Sequence, residues 1–180
     1  MSRYRRSLAT GATFFFTVNL ADRKRNLLGD EIARLRDAYR QIGARHSFET
    51  VAICVLADHI HAIWRLIWHL PDGDADFGRR SGAIKRFFSS GLAATETQSP
   101  SKLAKREKAI WPRRFWEHQI RNDNDLQRHI DYTYFNPVKH VYVKNVADWP
   151  HSSLHRDVKR GLIAPEWAGV EEARSGSFGE

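Results

Sequence analysis

Apolar and polar positions along the chain predict its elements in order. Phe14 to Asn19 is dense in aromatic and β-branched residues, the composition of a strand. From about Asp30 to Ala44, the residues Ile32, Leu35, Tyr39 and Ile42 recur at helical spacing. A second β-rich run, Phe48 to Leu56, ends in a short turn at Ala57-Asp58. His59 to Ile67 then forms a third strand, with Ile60, Ala62, Trp64 and Leu66 on one face. After a break at Pro71-Asp72-Gly73-Asp74, a helix from about Asp76 to Ala93 turns Ile84, Phe87, Phe88 and Leu92 inward. Thr95 to Ser101 is polar and contains proline, so it reads as a loop, with a basic continuation to Lys108.

Phe115 to Ile120 is the last strand signal. Asn122-Asp123-Asn124-Asp125 offers several N-caps, with Gln127 three residues after Asn124 in a capping-box-like arrangement. The helix they start runs through Leu126, Ile130 and Tyr134, and Pro137 is expected to stop it near Asn136. Beyond Trp149-Pro150 the pattern fades. The order β-α-β-β-α-β with a final helix predicts an α+β fold. Its expected form is a split-βαβ (ferredoxin-like) antiparallel sheet with helices on one face. At 180 residues the chain fits a single domain, read as residues 1–150 followed by a C-terminal tail, 151–180.

Composition narrows the function classes. The lone cysteine, Cys54, excludes an internal disulfide framework and a cysteine-based zinc cage. No run approaches the roughly 20 apolar residues of a membrane span. The basic start lacks the apolar stretch of a signal peptide, so a cytoplasmic, nucleoid-associated protein is expected. The net charge is +8, and the segment from Arg79 to Arg114 carries an excess of that size. Its bases are Arg79, Arg80, Lys85, Arg86, Lys102, Lys105, Arg106, Lys108, Arg113 and Arg114, opposed only by Glu96 and Glu107. Phe87, Phe88, Trp111, Phe115 and Trp116 are interleaved with them, and Arg3, Arg5 and Arg6 form a smaller cluster. Cations for phosphates beside rings for unpaired bases suit a nucleic acid. A solvated helix face over core aromatics explains the same pattern.

His59-Ile60-His61 is the most informative triplet. On a strand, residues i and i+2 face one side, about 6.6 Å apart along the chain. Two imidazoles so placed can converge on a divalent cation, although most such pairs are ordinary surface residues. Further on, Tyr132 and Asn136 are four apart and share a helix face. A phenol and an amide oxygen there could complete a site, or Tyr132 is a core aromatic and Asn136 a cap before proline. Tyr134 lies about 200° from Tyr132 around the helix and is assigned to the core. Glu117 and His118 precede this helix, and either faces the site or belongs to a salt bridge.

The blocks GATFFFTVNL, HIHAIWRL, FWEHQIR and HIDYTYFNPVKH, followed by DWPHSSLHRDVKRGL and PEWAG, stand in an order that resembles the REP-associated tyrosine transposases. These belong to the single-tyrosine HUH superfamily, and the likeness runs from about Tyr4 to Gly169. It implies an HUH nuclease core in which His59 and His61 hold Mg²⁺ or Mn²⁺ and Tyr132 attacks DNA. Asn136 falls where a third ligand is expected. The implied partner is single-stranded DNA with a hairpin-forming, REP-like repeat, cleaved and rejoined through a 5′-phosphotyrosine by a monomer. Contacts to that DNA are expected from Arg3, Arg5, Arg6, Lys85, Arg86, Arg113 and Arg114. The family's usual glycine after the NPVKH block is Val141 here, and the stretch from Thr95 to Lys108 is longer than in close relatives. Two other readings use the same fold: a non-catalytic single-stranded nucleic-acid-binding module, and a metal phosphodiesterase that employs water.

Overall fold

Phe14 to Val18 are all buried, and so are the side chains from His59 to Trp64, so these two strands occupy the middle of the sheet. The structure, a computed structural model, describes residues 11–66, 76–94 and 108–169. Strands β1 (Thr13–Asn19), β2 (Glu49–Val55), β3 (His59–Arg65) and β4 (Trp116–Gln119) form one antiparallel sheet in the order β2-β3-β1-β4. The helices are α1 (Leu27–Asp30), α2 (Ile32–Arg45), α3 (Phe77–Ser90), α4 (Asp123–Lys139) and α5 (Leu154–Lys159). A 3₁₀ turn, Val146–Asp148, lies between the last two. Ile67, the segment 95–107 and the arginines Arg3, Arg5 and Arg6 lie outside the described residues.

The helices cover both faces of the sheet, not one. Phe14, Phe16, Ile60, Ala62, Trp64 and Leu66 pack with Leu35, Ala38 and Ile42 of α2 and with Phe77, Ile84 and Phe88 of α3. Phe15, Ala52 and Ile63 point the other way, toward Tyr132, Tyr134 and Phe135 of α4 and Leu154 of α5. The central strands are apolar on both sides, which a sheet needs when it is sandwiched between two helical layers. His59 and His61 share the α4 face because strand periodicity puts them opposite Ile60 and Ala62. The unpatterned stretch after Pro150 also has a definite place. Val55 donates to His151 O at 2.9 Å and Ser153 to Ile53 O at 2.8 Å, which covers the edge of β2.

Helix α4 departs from its expected ends. Asn122, not Asn124, is the cap, accepting from the Asp125 amide at 2.9 Å, while Gln127 donates instead to Asp131. At the other end Pro137 lies inside the helix, which continues to Lys139. A proline lacks only its own N–H, so near a C-terminus it removes a single bond from turns that are otherwise complete. The last turn is closed by bonds from Tyr142 N to Pro137 O at 2.9 Å and from Val141 N to Val138 O at 3.0 Å, a Schellman motif. That motif requires a left-handed residue, and Val141 adopts it with φ 59° and its side chain exposed. A β-branched residue is strained there by about 1–2 kcal/mol, partly offset by the entropy glycine would lose on folding. Val141→Gly is therefore expected to stabilise the fold by roughly 1 kcal/mol, read as a melting point about 2–4 °C higher.

Candidate active site

Pairing across the sheet builds the site from three strands. His59 lies opposite Asn19, and His61 opposite both Thr17 and Cys54. Helix α4 crosses this face and brings Tyr132 and Asn136 against the histidines. All four side chains are wholly buried. The imidazole centroids are 4.8 Å apart, the Tyr132 ring is 5.2 Å from that of His61, and Asn136 Oδ1 is 3.2 Å from His59 Nε2. The four sequence candidates at positions 59, 61, 132 and 136 thus meet in one place. Tyr134 does not join them. Its hydroxyl donates to Asp157 at 2.5 Å, and burial together with that carboxylate pushes its pKa upward.

Each histidine is held through Nδ1. His59 Nδ1 is 2.6 Å from Asp58 Oδ1, and His61 Nδ1 is 3.0 Å from Thr17 Oγ1. Burial opposes ionisation of Asp58, but hydrogen bonds from His59 and from Arg23 prevail and hold its pKa down at about 2. An ionised carboxylate only accepts, so Nδ1 of His59 donates to it and Nε2 is turned toward Asn136 Oδ1, 3.2 Å away. Beside a second imidazole anchored through Nδ1, two ring nitrogens and an amide oxygen are donor types that suit a divalent cation. Thr17 escapes a reading of motifs because its role depends on strand pairing. Asp58 is flagged by its position directly before the histidine pair.

Lys139 is a further neighbour of the site. Its ammonium donates to Tyr132 Oη at 3.1 Å and sits 4.8 Å from the ring centroid. The expected stop at Pro137 hid it, since a helix ended there would not carry residue 139 back over Tyr132.

His118 and Glu117 separate. Glu117 pairs with Phe16 and lies on the α3 face, whereas His118 pairs with Phe15 on the α4 face. His118 is 2.8 Å from Asp125, and its ring stacks at 4.7 Å on His129 with planes 10° apart. Ligand-type atoms of His118, Asp125 and His129 all lie within 4.8 Å of one another. An ion in the plane of one stacked ring would lie well out of the plane of the other, so this cluster suits hydrogen bonding between β4 and α4 better than coordination. Burial lowers the His129 pKa, in keeping with a neutral ring.

The bases divide by use. Arg80 is buried and donates to the carbonyls of Asp76, His46 and Ser47, and Lys108 donates to Ser89 O, Ser90 O and Leu92 O at the end of α3. Arg86, Arg113 and Arg114 are exposed, while Lys85 lies over the Phe115 ring at 4.6 Å. Lys85, Arg86, Arg113 and Trp111 line a groove of about 550 Å³. An apolar cavity of about 310 Å³ under α2 and α3, lined by Leu35, Tyr39 and Trp64, is on the face opposite the histidines. Among the described residues, no helix is long and apolar enough to cross a membrane.

A histidine pair on a central antiparallel strand, facing a helix-borne tyrosine, makes this an HUH nuclease core of the single-tyrosine kind. The chain is 47% identical over 170 residues to a protein of Haemophilus influenzae named as a REP-associated tyrosine transposase, with 94% of each chain covered. It is 45% identical over 169 residues to the REP-associated tyrosine transposase of Escherichia coli, covering 94% of this chain and 92% of that one. A solved structure of a REP-associated tyrosine transposase bound to a REP hairpin superposes with a TM-score of 0.83 at 44% identity, covering 100% of this chain and 98% of the other. No protein-family model matches the chain. The chain belongs to the REP-associated tyrosine transposases.

Proposed function

We propose that this transposase binds a hairpin-forming DNA repeat and cuts and rejoins the adjoining single strand, with Tyr132 as nucleophile and His59, His61 and Asn136 as ligands of Mg²⁺ or Mn²⁺. The observation that carries this reading is the convergence of those four buried side chains, His59 and Asn136 being 77 residues apart in sequence, at 3.2 to 5.2 Å. The solved relative held by a REP hairpin supports the choice of DNA.

A divalent ion bound by two imidazoles and an amide would draw charge from the phosphate oxygens as the transition state forms. The chain's own residues do the rest. Asp58 and Thr17 fix the imidazoles, and the α4 backbone holds Tyr132 rigidly beside them. The Tyr132 oxygen forms a bond to phosphorus as the bond to O3′ breaks. The phenol gives up its proton and O3′ takes one, leaving a 5′-phosphotyrosine and a free 3′-OH. Proton count is unchanged, and the ester bond is kept in the covalent link, so a second 3′-OH can reverse the step without ATP.

The test is a labelled single-stranded hairpin oligonucleotide incubated with the protein and Mn²⁺. A denaturation-resistant adduct is expected. Binding without an adduct would favour the non-catalytic module, and cutting without one would favour hydrolysis by water.

The exposed bases make a separate prediction. Each phosphate contact contributes about 0.7–0.9 to the slope of log K against log salt. With Lys85 lying over Phe115, replacing Lys85, Arg86, Arg113 and Arg114 by alanine is expected to flatten that slope by about 2. A titration of hairpin affinity across salt concentrations measures it, and an unchanged slope would move the DNA path away from this groove.

A further inference from the structure

We propose that Lys139 is a catalytic residue whose ammonium holds Tyr132 Oη and stabilises the negative charge that develops on this oxygen in both cleavage and rejoining. The inference rests on the reading of Tyr132 as the nucleophile. Its basis is the turn of helix beyond Pro137. Residues seven apart come within about 20° of alignment after two turns, so extending α4 to Lys139 returns the side chain to the face of Tyr132. Nζ then lies 3.1 Å from Oη and 4.8 Å from the ring centroid. The Schellman closure at Val141 secures that extra turn.

In cleavage, the phenol gives up its proton, an electron pair of Oη forms the bond to phosphorus, and the pair of the broken bond stays on O3′, which takes a proton. In rejoining, a 3′-OH gives up its proton and bonds phosphorus while the pair of the Oη–phosphorus bond returns to Oη, which takes a proton. Lys139 keeps its protons throughout. A fixed cation beside a buried oxygen acts more strongly than it would in water, because little solvent is present to screen it. Both directions pass through one transition state, so loss of the ammonium should slow both. A lysine serving only the helix C-terminus would influence stability and leave the rates alone.

Single-turnover rates at saturating hairpin distinguish these roles. Lys139→Met is expected to lower both cleavage and rejoining, by about 10²- to 10³-fold. Lys139→Cys alkylated with 2-bromoethylamine restores an ammonium at almost the same reach, and most of the rate should return. Cys54 is wholly buried, so the introduced thiol is the one that reacts. Parent rates in Lys139→Met beside an inert Tyr132→Phe would overturn the proposal and leave the nucleophile in place. A loss in one direction only, or one that alkylation does not reverse, would also overturn it. An adduct formed by Tyr132→Phe would instead overturn the reading underneath.

Discussion

Tyr132→Phe is expected to abolish the covalent adduct, lowering cleavage by at least about 10⁴-fold, the scale seen when a nucleophile is removed elsewhere. Hairpin affinity should stay near the parent value, because the exposed bases are untouched and the ring still fills its place between Phe15 and His61. Tyr134→Phe is the matched control. It removes hydroxyl bonds to Asp157 and Ser153 and should cost about 1–3 kcal/mol of stability while cleavage persists. A gel assay for the adduct and a thermal melt on both variants decide the matter. Cutting by Tyr132→Phe together with an inert Tyr134→Phe would reverse the assignment.

His59→Ala and His61→Ala should each eliminate metal-dependent cleavage, since one imidazole and an amide cannot hold the ion against a phosphate. Loss of an outer partner to a metal-bound histidine already weakens binding about 10- to 100-fold, so loss of the ligand itself should exceed that. Calorimetry with Mn²⁺ reads the affinity directly, without DNA. Unchanged affinity in both variants would reject the ligand assignment. Both histidines are buried, so a melting curve for each variant is needed to show that it is folded.

The His118, Asp125 and His129 cluster provides an internal comparison. It brings more conventional ligand types together than the proposed site does, yet its rings are stacked and its carboxylate is spent. Burial disfavours the Asp125 carboxylate, but hydrogen bonds from His118 and from the Arg121 amide lower its pKa all the same. In His59 and His61 Nδ1 is anchored by Asp58 and Thr17, and Nε2 is the atom each would offer an ion. The stacking of the His118 and His129 rings separates the two clusters better than the number of histidines.

Local pattern was enough to place the strands, the histidine pair and the four-residue step from Tyr132 to Asn136. Alternation and helical spacing are properties of neighbouring residues, and the quoted motifs are contiguous. Tyr134 could be set aside for the same reason, because two residues on a helix point apart. Other features needed distant parts of the chain to meet. The second helical layer was hidden because a strand buried on both faces has no polar side to reveal which way its helices pack. Thr17 acquired its role from strand pairing, and Arg80 and Lys108, counted only in the basic segment, turned to backbone carbonyls. Lys139 depended on Pro137 failing to end the helix. That outcome was decided by hydrogen bonds from Val141 and Tyr142 to carbonyls several residues back, a closure that local propensity alone does not predict.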